Sequence, residues 1–64
     1  MVEEIIKLAK ELEYAYSYLD SVTTKLEDDK FVRHAPAEVV KAELIKKLEA
    51  HEKIAFLVNE IKNN

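Results

Sequence analysis

The stretch FVRHAPAEVV, residues 31–40, holds the only proline of the chain, the only arginine and one of two phenylalanines. Proline lacks the N–H that a helix interior needs, and it pushes the preceding residue out of the helical region, so no helix runs undisturbed through Pro36. On both sides the chain lacks glycine and is rich in Ala, Leu, Glu and Lys, a composition that favours long helices. The stretch is therefore a break between two helical segments. Pro36 suits the first turn of the second segment, where its missing N–H has no partner to lose, and Glu38 suits the positive end of the helix dipole. Just upstream, Asp28 or Asp29 can accept hydrogen bonds from backbone N–H groups freed at the exit of the first helix.

Working outward, Met1, Ile5, Leu8, Leu12, Ala15, Leu19, Val22 and Leu26 alternate at spacings of three and four, the period of a heptad seam. Glu3 precedes Lys7 by one turn, in the favourable order for a helix pair. Downstream, Val40, Leu44, Leu48, His51, Ala55 and Val58 form one stripe with Ile54 and Ile61 at its edge. Glu43 with Lys47 and Glu49 with Lys53 repeat the charge pairing. The pattern predicts a single unit over 1–64, with a helix over about 2–27, a turn over 28–35 and a helix over about 36–61. A short connection makes the helices antiparallel neighbours. The expected fold is all-α, an antiparallel two-helix coiled-coil hairpin, with two hairpins able to pair into a four-helix bundle. Counting from the break sets Leu26 opposite Ala37, Val22 opposite Val40, Leu19 opposite Leu44, Ala15 opposite Leu48, Leu12 opposite His51, Leu8 opposite Ala55 and Ile5 opposite Val58. Each arm is then roughly 38 Å long.

Size and composition restrict function. Sixty-four residues are too few for a conventional active-site cleft, and no catalytic constellation, glycine-rich phosphate loop or zinc spacing is present. The expectation is a non-enzyme with no catalytic residues, cofactor or metal. His34 and His51 lie about 20 Å apart by helix rise and share no ion; His51 reads as a seam residue bonded at its edge to Glu11 or Glu13. The absence of cysteine suits a reducing compartment, and no segment has the roughly 18 to 20 apolar residues of a membrane span, so a cytoplasmic protein without a membrane partner is expected. A formal charge of −3 excludes general nucleic-acid adhesion, since phosphate binding accompanies a basic excess; any such contact is confined to a patch. Ile6, Tyr14, Tyr18, Val39, Ile45, Phe56 and Leu57 fall off the seam, as for a rod that meets a second copy or another protein.

The residues around the break also carry a resemblance. Leu26-x-Asp28-x-x-Phe31-Val32-x-x-Ala35-Pro36-x-x-Val39-Val40-x-x-Glu43 resembles the C-terminal arm of valyl-tRNA synthetases, a helical hairpin with the pattern KLxNxxFVxKAPxxVIxxE, in which Arg alternates with the second Lys and Val with the Ile. Asp28 replaces the usual Asn, His34 stands at the basic position with Arg33 one residue earlier, and Leu44 stands where an Arg often follows the glutamate. The resemblance implies a non-catalytic appendage of a class I aminoacyl-tRNA ligase for valine. The parent would use ATP, and the appendage would lean on the outer corner of valine tRNA beside the rest of the synthetase. Arg33, a forked cation at the tip, is the leading phosphate contact. Lys30, His34 and Lys41 flank it, and Lys46 and Lys53 lie with Val39 and Leu57 on one strip of the second helix. Phe31 and Val32 read either as a stacking surface for bases or as a plug on the open end of the hairpin. The competing function is a protein-interaction or oligomerisation hairpin, including a homodimer in isolation.

Overall fold

The first helix begins with Glu3 and Glu4 against its positive end and finishes with Lys25 against its negative end. The structure, a computed structural model that describes residues 2–63, shows α1 at Val2–Glu27, α2 at Asp29–His34 and α3 at Ala37–Lys62. The last turn of α1 tightens where the Asp28 N–H donates to the Lys25 carbonyl at 3.2 Å, and the Thr24 hydroxyl donates back to the Asp20 carbonyl at 2.8 Å. Asp28 then takes an extended backbone, and its carboxylate accepts from the Lys30 N–H at 3.0 Å. Of the two aspartates, Asp28 is the cap. With that cap in place, residues 29–34 form a short helix where the sequence pattern predicted a turn.

This short helix closes when the Ala35 N–H donates to the Phe31 carbonyl at 2.9 Å. Ala35 is extended, as the residue before a proline must be. Pro36 also stays extended at ψ 147°, so it caps α3 from outside and Ala37 opens the helix. Its carbonyl accepts from the N–H groups of Val39 and Val40 at 2.9 and 3.2 Å. Phe31 and Ala35, one turn apart, are half-buried while Val32 is exposed. Of the two residues expected to close the seam, only Phe31 is placed to do so.

Antiparallel packing of α1 on α3 makes the hairpin, a rod whose Cα atoms span 48 × 14 × 12 Å. On α1 the seam follows the predicted heptad from Leu8 onward: Ala15 and Val22 are buried, and Leu8, Leu12, Leu19 and Leu26 are half-buried, while Ile5, expected inside, is exposed. Met1 lies outside the described residues. On α3 the seam differs from the expected stripe. Buried there are Glu43, Ala50, Ile54 and Leu57, with Val40, Lys47 and Ile61 half-buried on the same line. These positions alternate strictly by three and four. Leu44 and Leu48, expected inside, are 49% and 63% exposed, and His51 and Ala55 are exposed as well. Only Val40 and Val58 of the predicted stripe stay half-buried.

Two physical features decide which stripe faces inward. The large side chains Ile54 and Leu57 enter a cluster with Ala15, Leu8, Leu12, Leu19 and Val58, and the small Ala15 and Ala50 let the two helices approach closely. Register moves too. Lys25 meets Glu43, whereas the count from the break sets it beside Glu38. The six-residue helix between the arms displaces the start of α3 along the rod, which a tight turn would not do.

Candidate functional site

Glu43 is a charged residue at a seam position with 4% exposure. A lone carboxylate there would forfeit its hydration, so cations must replace the water. Lys46, one turn along α3, places Nζ 3.0 Å from Oε2, and Lys25 reaches across from α1 to place Nζ 3.1 Å from Oε1. The Lys25 contact falls short of hydrogen-bond alignment at Oε1, so the Lys46 side of the clamp is the better directed. The Lys46 hydrogen bond first, and the approach of Lys25 second, hold the Glu43 carboxyl below its ordinary value against the opposing effect of desolvation. In return Glu43 raises Lys46, and the Tyr18 phenol adds a smaller contribution. Both lysines keep about half their side-chain surface in solvent. The clamp therefore absorbs one negative charge and still presents two ammonium groups to the outside.

Along the same flank, nearer the middle of the rod, Tyr14 and Tyr18 of α1 face Glu49 and Lys53 of α3 across an open groove of about 550 Å³. Lys10 and Glu11 complete its α1 wall, and the paired alanines Ala15 and Ala50 form its floor. The groove exists because the helices carry their smallest seam residues at this level, with tyrosines standing beside them. By the helical step of about 100°, Lys7 falls on this flank as well. Lys7, Lys10, Lys25, Lys46 and Lys53 are thus half of the ten cationic residues of the chain. Leu44, Leu48 and Tyr16 fall on the other side of the rod by the same step and are exposed.

At the tip, Arg33 and His34 occupy the last turn of α2 and Lys30 its first. Lys41 stands one turn into α3, and all four are exposed. The six candidate RNA-contacting residues therefore separate into two places: Arg33, His34, Lys30 and Lys41 at the tip, and Lys46 and Lys53 on the groove flank. The strip expected on α3 loses one member, because Leu57 lies in the core at 1% exposure. His51 is no seam residue and stands on the opposite flank from Glu11. Among the described residues no group of three His, Cys, Asp or Glu side chains is placed to hold a metal ion, and no helix is long and apolar enough to cross a membrane.

The family model described as "Valyl tRNA synthetase tRNA binding arm" matches residues 1–63. The chain belongs to that family. The arm is 44% identical over 59 residues to the valine–tRNA ligase of Phocaeicola vulgatus, a match that covers 92% of the arm and 7% of that protein. It is 41% identical over 59 residues to the valine–tRNA ligase of Parabacteroides distasonis, with the same coverage. Against the valine–tRNA ligase of Porphyromonas gingivalis the identity is 46% over 55 residues, 86% of the arm and 6% of that protein. The arm thus spans less than a tenth of the length of the curated relatives it matches. No solved structure gives a significant match. This membership favours the RNA reading of the hairpin over the protein-interaction reading.

Sequence reasoning missed the tyrosine groove and the clamp. Tyr14 and Tyr18 were visible as off-seam aromatics, but their partners on α3 depend on the register. The signal that would have found them is the strict alternation from Val40 to Ile61, which runs through Glu43 and Lys47 and is masked by the greater hydrophobicity of Leu44 and Leu48.

Proposed function

We propose that the arm is a non-catalytic appendage of a class I valine–tRNA ligase and leans on the outer corner of the tRNA, adding binding energy for a substrate that is charged elsewhere in a longer, ATP-using protein. The observation that carries this reading is the family match over residues 1–63. The geometry supports it: Arg33, His34 and Lys30 project from a short capped helix at the end of a rod, where a convex RNA surface can reach them together. A forked guanidinium suits bidentate contact with phosphate. Contacts of this type position the tRNA and do not identify it, so valine tRNA is read by other parts of the ligase.

The test is the salt dependence of tRNA binding by a valine–tRNA ligase that carries this arm, compared with Lys30→Ala, Arg33→Ala and Lys41→Ala together. For every phosphate that the substitutions leave without its cation, the slope of log K against log salt should fall by roughly 0.7 to 0.9. An unchanged affinity with an unchanged slope would remove these residues from the interface.

A further inference from the structure

We infer that the outer face of α3, turned away from α1, is a docking surface for a second copy of the hairpin, and that the two copies meet there antiparallel about a twofold axis level with Lys46 and Lys47. The observation behind it is a strip of four residues. Lys41, Ile45, Leu48 and Glu52 recur at spacings of four, three and four, which places them within about 60° of one another on a helix. All four are exposed. Ile45 and Leu48 keep 48% and 63% of their surface in solvent, and the neighbouring Leu44 keeps 49%. Three large aliphatic side chains thus stand together on the face that α1 does not cover, bracketed by a cation and an anion. The inference is independent of the tRNA reading, because Lys46 and Lys53 lie roughly 110° to 130° round the helix from the strip and Arg33 precedes α3 altogether.

The order of the strip selects the occupant. Lys41 and Glu52 are centred on the same point as Ile45 and Leu48, midway between Lys46 and Lys47. An antiparallel second copy therefore sets Lys41 opposite the other copy's Glu52 and Ile45 opposite its Leu48 at one and the same register, and symmetry makes each contact twice. A parallel copy would set lysine on lysine and glutamate on glutamate. Within its own hairpin neither Lys41 nor Glu52 has an ion pair among the described residues, where the ion pairs are those of Glu43 with Lys25 and Lys46. Both charges are thus free for a partner. One cation and one anion give the strip no net charge to attract a polyanion, so its complementarity is to its own reverse. From Lys41 to Glu52 the strip is about 17 Å long, which keeps the interface below the roughly 1,200 Å² of stable complexes and makes the dimer a weak, reversible one.

The experiment follows the 64-residue chain without RNA, by sedimentation equilibrium and by NMR of the backbone amides across a concentration series up to millimolar. The expected result is an equilibrium that stops at two chains, with concentration-dependent shifts at Lys41, Ile45, Leu48 and Glu52. Lys41→Glu and Glu52→Lys each turn two attractions into two repulsions and should raise the dimer Kd by roughly twofold to thirtyfold, the range for two exposed ion pairs. Lys41→Glu combined with Glu52→Lys restores the opposite charges in reverse order and should return the Kd to the parent value. Because both side chains are exposed, circular dichroism should show the same helical hairpin in all three variants. A chain that stays monomeric at millimolar concentration would overturn the inference. So would association that continues past two chains, shifts confined to Tyr14 and Tyr18, which would assign the contact to the groove, or a double variant no tighter than the single ones. Loss of tRNA binding by the tip variants leaves these outcomes unchanged, so the two readings fail separately.

Discussion

At the scale of single residues, Glu43 shows how a charge in a seam can specify structure. With leucine at that position the seam would be apolar from Val40 to Ile61 save for Lys47, and α3 would have a stronger core but less reason to choose its register. With glutamate, Lys46 pairs with the carboxylate in any register, and only the register that brings Lys25 across from α1 adds the second cation at Oε1. The pairing also sets a pH dependence. Glu43 titrates below its ordinary 4.5 in the folded state, so its contribution to stability is present above that value and is lost as pH falls through the depressed one. Lys46 titrates above its ordinary 10.5, so its contribution is present below that value and is lost as pH rises through the elevated one. Glu43→Gln should therefore lower the thermal midpoint at pH 7, and the gap to the parent chain should close in acid. A gap that persists at pH 2 would show that Glu43 acts by shape and not by charge. The residue was legible in the sequence as the last member of the FVxxAP pattern, but its role was not, because the second lysine comes from the other helix.

At the scale of elements, α1 was legible and α3 only in part, for a reason that lies in their patterns. Every seam position of α1 is apolar, so a single stripe competes for the interior. Helix α3 has two stripes that share Val40. One holds Leu44, Leu48 and Ala55; the other holds Ala50, Ile54, Leu57 and Ile61 together with Glu43 and Lys47. The first carries no Asp, Glu, Lys or Arg and so looks the more apolar, while heptad spacing and cross-helix charge pairing favour the second. The two registers make opposite predictions for mutation. Leu57→Ala removes a buried side chain and should cost about 2 to 5 kcal/mol; since a small core seldom supplies more than about 3 to 5 kcal/mol, the hairpin should largely unfold. Leu48→Ala should change stability by no more than about 0.5 kcal/mol, as at other surface positions away from special contacts. Urea titrations followed by circular dichroism compare the two directly. A greater loss from Leu48→Ala than from Leu57→Ala would restore the register that the sequence suggested.

At the scale of the whole molecule, a rod 48 Å long and 14 Å or less in its other dimensions has too little interior to bind strongly by burying surface, and eight of its ten lysine and arginine residues are divided between the tip and one flank. Each place offers a few solvent-exposed charges, individually weak in water and screened within about 8 Å at physiological salt. Such contacts become effective when they are held near their target. Linked to a body that already grips the tRNA, the arm meets RNA at an effective concentration in the millimolar range, and joining two weak sites in this way can raise overall affinity by about 10²- to 10⁴-fold without any new contact. The free arm should therefore bind tRNA only at high concentration and low salt. Added at tens of micromolar, it should fail to compete with a ligase that carries the arm, whereas removing the arm from that ligase should weaken tRNA binding measurably. Filter-binding titrations of the three species at two salt concentrations separate the cases. If the free arm matched the intact ligase in affinity, linkage would be irrelevant and the hairpin would have to contain a tight RNA site of its own.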